Sequence, residues 1–235
     1  MKVWDVFPYW REQWAVDARL KLWADLAPGV EYVPWALLGD RTHRGTPLPR
    51  LLPPGGPILW GGACWSMVAL DAEDDWGREA QQRDAIREKL WQMDRDDLIL
   101  LTDADELVDP LRLDAIAEAT ESGPVKLRMA IYMCGTRWKH RDSWRHPGAC
   151  RAKDLPEHPT ADLRMNFTLP KVPEAGWHLT YFDEDVDGKL RAFAHAEWDT
   201  PEAREEFARI RAEGTGLIDD PLTGPLADIL NVGVS

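Results

Sequence analysis

The sequence predicts an α/β fold, with a mixed, mostly parallel central sheet flanked by helices and a C-terminal hairpin and helix. Three observations lead there. Leu98-Ile99-Leu100-Leu101 is an unbroken apolar run of the kind found in strands buried on both faces. Strand and helix patterns alternate through the first half of the chain. Extended pieces then dominate the second half.

Taken in order, residues 2–9 read as a first strand that runs into the loop Phe7-Pro8-Tyr9. Residues 10–27 carry Val16, Leu20, Trp23 and Ala27 on one helical face, and Pro28-Gly29 ends that helix. Val30 to Leu38 reads as a second strand, and residues 39–57, rich in Gly, Pro and Arg, as an ordered loop. Ile58–Trp60 and Ser66–Leu70 are short strands. One long helix is expected from Asp75 to Met93, followed by the apolar strand 97–102. Asp109-Pro110 supplies an N-cap and a first-turn proline for a helix reaching Glu121, which Ser122-Gly123-Pro124 stops. Val125 to Met133 alternates like a strand, and residues 134–176 read as irregular with short extended pieces. A hairpin is expected between Trp177–Phe182 and Leu190–His195, turning at Asp187-Gly188. Thr200-Pro201 opens a last helix ending at Gly214, and residues 216–235 read as a loose tail.

A chain of 235 residues with 44% hydrophobic and 29% charged residues suits one domain, 1–235. Residues 1–122 would carry the nucleotide and 123–215 would shape an acceptor site. The net charge of -13 argues against a protein that grips nucleic acid by its phosphates. A local basic run at 137–153 reads equally well as a solvated loop or an anion-binding wall. Cys64, Cys134 and Cys150 do not make a disulfide framework. The N-terminus has no signal-peptide pattern and the longest apolar stretch is too short for a membrane span, so a cytoplasmic setting is expected. The 13 tryptophans recur along the whole chain, most as core and some as ligand surface.

The chemistry centres on Asp103-Ala104-Asp105, which directly follows the buried strand. Ligands bind beyond the carboxyl ends of strands in open α/β sheets. Two aspartates two apart on extended backbone point the same way and offer hard oxygens to Mn²⁺ or Mg²⁺. The bare pattern is weak, since Asp94-Arg95-Asp96, Asp183-Glu184-Asp185 and Asp185-Val186-Asp187 repeat it, but only 103–105 ends an apolar strand. Asp183 to Gly188 opens like a calcium loop, but Ala194 stands where the bidentate Glu belongs, so it reads as the hairpin turn. Arg83 and Glu79 lie in the apolar stripe of the preceding helix. They either pair with each other or bring Arg83 to the aspartates and a donor phosphate. Among the carboxylates, Glu197 is the first candidate for a general base and Glu174 the second.

Several segments, in order, resemble glycosyltransferase family 17, the β-1,4-mannosyl-glycoprotein N-acetylglucosaminyltransferase-like family. They are Trp4 to Tyr9 with Glu12 and Arg19; Thr42-His43-Arg44-Gly45; Trp76-Gly77-Arg78-Glu79 with Gln82-Arg83-Asp84; Asp96 to Glu106; Gly176-Trp177-His178; and His195-Ala196-Glu197. The resemblance implies a GT-A fold and an inverting, metal-dependent transfer of a sugar, such as N-acetylglucosamine, from a UDP-sugar donor to a glycan, glycoconjugate or other hydroxyl acceptor. It implies that Phe7, Pro8, Tyr9, Arg83, Asp103, Asp105 and His178 border the donor, and that Asp103 and Asp105, joined by His195, hold the metal. Trp138, Trp144 and Trp177 are candidates for stacking on acceptor sugars. The chain departs from the family at Leu38-Gly39, where a glutamate-alanine pair is usual, and at Leu179, where a cysteine is usual. Two other readings use the same residues: a metal-dependent nucleotidyltransferase or phosphohydrolase, and a non-catalytic carbohydrate-binding module.

Overall fold

The computed structural model describes residues 1–49, 58–182 and 185–231. Strand β1 (Lys2–Tyr9) leads into helix α1 (Gln13–Leu26), and β2 (Glu31–Gly39) returns parallel to β1, with Val3 opposite Tyr32 and Phe7 opposite Ala36. β3 (Ile58–Trp60) and β4 (Ala63–Val68) follow; β4 lies parallel to β2. Helix α2 (Asp75–Asp84) is capped by Asp74, whose side chain accepts the Gly77 N–H at 2.7 Å. The expected helix to Met93 tightens into a 3₁₀ segment over Ala85–Gln92. β5 (Leu98–Leu101) then enters the sheet parallel to β1.

β5 shows how this sequence dictates its place. All four of its side chains are buried, and each contributes about 1.5–3 kcal/mol of apolar burial. They alternate between two cores. Leu98 and Leu100 join Val3, Trp23 and Ile116, while Ile99 and Leu101 join Trp4, Val6, Ile86 and Leu163. Only a strand covered on both faces uses such a run. Its carboxyl end therefore opens at the middle of the sheet.

The second half differs more from expectation. The unforeseen strand β6 (Glu106–Val108) follows the aspartates directly. The helix expected after Asp109-Pro110 is a 3₁₀ turn, then α3 (Leu113–Ala119), then another 3₁₀ turn. β7 (Val125–Met133) forms as expected, but the stretch read as irregular holds β8 (Trp138–Trp144), β9 (Gly148–Arg151) and α4 (Thr160–Met165). β10 (Lys171–Thr180) runs parallel to β7 and antiparallel to β6. With β11 (Ile218–Asp219) at one edge, the sheet order is β11-β8-β7-β9-β5-β1-β2-β4-β3, with β10 and β6 branching from β7.

The expected C-terminal hairpin is not formed. β10 takes β7 and β6 as partners, and Val186–Ala192 is helix α5. Asp185 caps that helix by accepting the Gly188 N–H at 2.8 Å, so the acidic stretch starts a helix instead of turning a hairpin. Asp183 and Glu184 lie outside the described residues, as do residues 50–57 of the loop expected at 39–57. Helix α6 (Pro201–Glu213) matches expectation, with Thr200 as its cap and Gly214 left-handed at its end. The tail carries β11 (Ile218–Asp219) and α7 (Pro225–Asn231). Leu222, Leu226 and Leu230 pack with Leu22 of α1, so the end of the tail is anchored to the core while residues 218–221 stay exposed.

Candidate active site at the carboxyl end of the central strand

The loop after β5 is shaped from behind by one buried arginine. Arg19 comes from α1 and is 1% exposed. Its Nε donates to Asp5 Oδ2 at 2.9 Å, and its two Nη atoms donate to the carbonyls of Asp103 (2.7 Å), Ala104 and Glu106 (2.7 Å) and to Thr102 Oγ1 (3.1 Å). Asp5 also accepts from the Tyr32 hydroxyl and from Thr102 Oγ1, both at 2.7 Å. An unpaired charge at the centre of a sheet would be prohibitive; here it is fully satisfied.

With the carbonyls turned inward, the acidic side chains of the loop meet basic side chains from three helices. Asp103 Oδ1 lies 2.5 Å from Arg83 Nη1 of α2, and Oδ2 accepts from Arg164 of α4. Asp105 Oδ2 accepts from Lys189 Nζ of α5 at 2.6 Å, and its Oδ1 lies 3.5 Å from His178 Nε2 of β10. Glu106 is wholly buried; it accepts from Arg164 at 2.7 and 3.0 Å, from the Asp103 N–H at 2.6 Å and from Trp144 Nε1. Burial alone would raise both aspartate pKa values. Arg164 and Arg83 outweigh it for Asp103, and Lys189 and His178 for Asp105, holding both far below the usual carboxylate range. Burial raises the pKa of Glu12, partly offset by Lys189, which sits 3.6 Å away.

Two clefts meet at Pro8, beside these charges. The smaller, with about 260 Å³ of open space, is walled by Thr102, Thr160, Arg83 and Arg164. The larger, about 320 Å³, has Tyr9, Trp10, Thr42, His43, Gln82 and Phe193 on its walls. There His43 Nε2 shares a 2.6 Å hydrogen bond with Gln82 Oε1, while its buried Nδ1 has no hydrogen-bond partner. Tyr9 packs edge-on against Trp65, and burial beside Glu12 and Asp17 pushes its hydroxyl up to about 12.

The structure brings together Pro8, Tyr9, Arg83, Asp103, Asp105, His178 and Trp144. His178 packs against Trp144 with ring centroids 4.3 Å apart and the planes tilted by 31°. Other expected residues lie elsewhere. Phe7 is fully buried under the Arg19 guanidinium. Trp177 alternates to the opposite side of β10 from His178 and packs against the core containing Leu107 and Leu179. Trp138 packs at the end of α6, donating to the Arg211 carbonyl at 3.3 Å. Glu174 is exposed in the bulge of β10 with φ 50, four residues before His178 and roughly 13 Å along the strand. His195 and Glu197 pair at 2.7 Å on the surface, just past Phe193, with Trp76 edge-on to the His195 ring.

The expected divalent ion does not suit this donor set. The aspartate oxygens that would ligate it already face Arg83, Arg164 and Lys189, and His195 is engaged by Glu197. Arg164 and Lys189 carried no signal of their own in the sequence. Each sits on a short helix inside a stretch that reads as irregular or as a hairpin. The basic run at 137–153 divides as well: Arg137 and Lys139 pair with Asp219 and Asp220, and Arg151 with Glu121. Neither of the first two pairs faces the clefts.

Among the described residues, no helix is long and apolar enough to cross a membrane. No known family profile and no curated protein sequence matches the chain. One solved structure similar to it is the 2-C-methyl-D-erythritol 4-phosphate cytidylyltransferase of Francisella tularensis. It is 12% identical, with a TM-score of 0.40, over 85% of this chain and all of that one. A superposition that loose says nothing about activity, and the likeness to family 17 remains a resemblance of ordered motifs.

Proposed function

We propose that the chain is a glycosyltransferase that uses a nucleoside diphosphate sugar, such as a UDP-sugar, and moves the sugar to an acceptor hydroxyl. The observation that carries this reading is the pair of arginines, Arg83 and Arg164, converging on the carboxyl end of β5 and walling one cleft. A guanidinium fork is matched to phosphate oxygens. The adjoining larger cleft, with Tyr9, Trp10 and Phe193, offers aromatic walls to a nucleoside.

In this reading the diphosphate lies across Pro8 against the arginines. His178, beside Asp105, and Trp144, beside Glu106, mark the proposed acceptor side. Glu197, at the rim beyond Phe193 and kept ionised by its hydrogen bond from His195, is the proposed base for the acceptor hydroxyl. Glu174 stands too far along β10 for that role. The donor reading does not depend on a divalent ion.

The test is a nucleotide-release screen with a panel of nucleotide sugars and simple glycan acceptors, using the full chain. Acceptor-dependent release of the nucleoside diphosphate is expected, and Arg83→Ala should lower it about tenfold or more. Release of pyrophosphate from a nucleoside triphosphate, or hydrolysis indifferent to acceptor, would overturn the reading.

A further inference from the structure

We infer that Lys189, with Arg83 and Arg164, occupies the cation position of this site, so that the donor diphosphate is neutralised by side chains and not by a resident divalent ion. This rests on the donor reading above. The three cations come from three separate helices, α5, α2 and α4, and the loop they meet is fixed by Arg19. Lys189 Nζ is 2.6 Å from Asp105 Oδ2 and 3.6 Å from Glu12 Oε1. An ion coordinated by that oxygen would have to sit against the ammonium, where like charges repel. The Asp103 carboxylate is taken by the two guanidiniums in the same way.

The side chains of Lys189, Arg83 and Arg164 are 18%, 12% and 9% exposed, so all three are dry enough for their charge to act strongly, and the two arginines line the smaller cleft. Lys189 also lies over the Phe193 ring at 5.3 Å, and Phe193 lines the larger cleft. The ammonium thus lies between the Asp105 carboxylate and the ring that lines the larger cleft. Asp105 and Glu12 keep it charged and fix its position; they hold the Lys in place instead of a metal.

The step balances without a metal. The bond from the anomeric carbon to the β-phosphate oxygen breaks, and its electron pair stays on the phosphate. The acceptor oxygen forms the new bond to the anomeric carbon, and its proton passes to the carboxylate base. The charge that appears on the leaving diphosphate falls on the ammonium and the guanidiniums.

The experiment is calorimetric titration of the full chain with inorganic pyrophosphate and with UDP, once in EDTA and once in excess Mn²⁺. Wild type is expected to bind both in EDTA, within about twofold of the affinity seen with Mn²⁺; Lys189→Met should weaken binding about tenfold and Lys189→Arg far less. Binding that appears only with Mn²⁺, or full affinity in a folded Lys189→Met, overturns the inference and leaves the donor reading standing. Binding of neither ligand in either condition sinks the donor reading and the inference with it. Pyrophosphate bound in EDTA without UDP supports the cation assignment and removes uridine from the donor. If Lys189→Met does not fold, the wild-type comparison of EDTA with Mn²⁺ decides alone.

Discussion

Two sets of ion pairs in this molecule use the same side chains to opposite effect. Around the end of β5, Arg19, Asp5, Arg164 and Glu106 are all almost completely buried and share their oxygens and nitrogens in one network. Along the β8 edge, Arg137 meets Asp219 at 2.7 Å and Lys139 meets Asp220 at 2.6 Å, largely in water. Water competes for the outer pairs and screens them, so they contribute little. The inner network has no water to fall back on, so each member depends on the others. Burial, and not the count of bridges, separates the part of the chain that specifies the site from the part that decorates the surface.

The sharpest break in that contrast is Arg19→Met. It strands Asp5 and leaves the carbonyls of residues 103, 104 and 106 without their donor. The expected loss is about 3–5 kcal/mol of unfolding free energy, read from urea denaturation. A loss below about 1 kcal/mol would place the network among the ordinary surface pairs. Next comes Glu106→Gln, which removes the buried charge facing Arg164 and should cost about 2–3 kcal/mol in the same measurement.

A smaller effect is expected from pH. Burial, then the positive charges of Arg164 and Lys126, lower the His146 pKa from 6.5 to about 4. The unfolded chain binds a proton there that the folded chain refuses, so stability should fall as pH drops from about 6.5 toward 4 and level off below. His146→Phe should flatten that part of the stability curve; an unchanged slope would assign the acid sensitivity to another group. At the bottom of the series, Arg137→Ala should leave the thermal midpoint where it is in wild type. A clear drop would mean that the outer pairs are coupled to the fold after all.

The parallel half was legible because its strands carry their burial in their composition. Leu98 to Leu101 can only be a strand covered on both faces, and Asp103 and Asp105 follow from where that strand ends. Arg83 was visible as a charge out of place on an apolar stripe. Arg164 and Lys189 were not, because short helices such as α4 and α5 have too few turns to show a period. α5 is set by a cap, Asp185 on Gly188, whose residues equally suit a turn. The strand partners of β10 are fixed by β6 and β7, both distant in sequence, so a local hairpin pattern at 187–188 misled. Trp177 and Trp138 illustrate a different limit. Composition says a tryptophan wants a partner, but only the pleat of β10 and the end of α6 decide which side it faces.

The way Arg19 grips the loop after β5 has a consequence for how the site can be altered. Its guanidinium holds main-chain oxygens, and those exist whatever side chains are attached. The curve of residues 103–106 is therefore indifferent to the identity of positions 103 and 105. Those two positions behave as sockets on a rigid mount. The shape of the loop is in that sense set apart from the chemistry its side chains present.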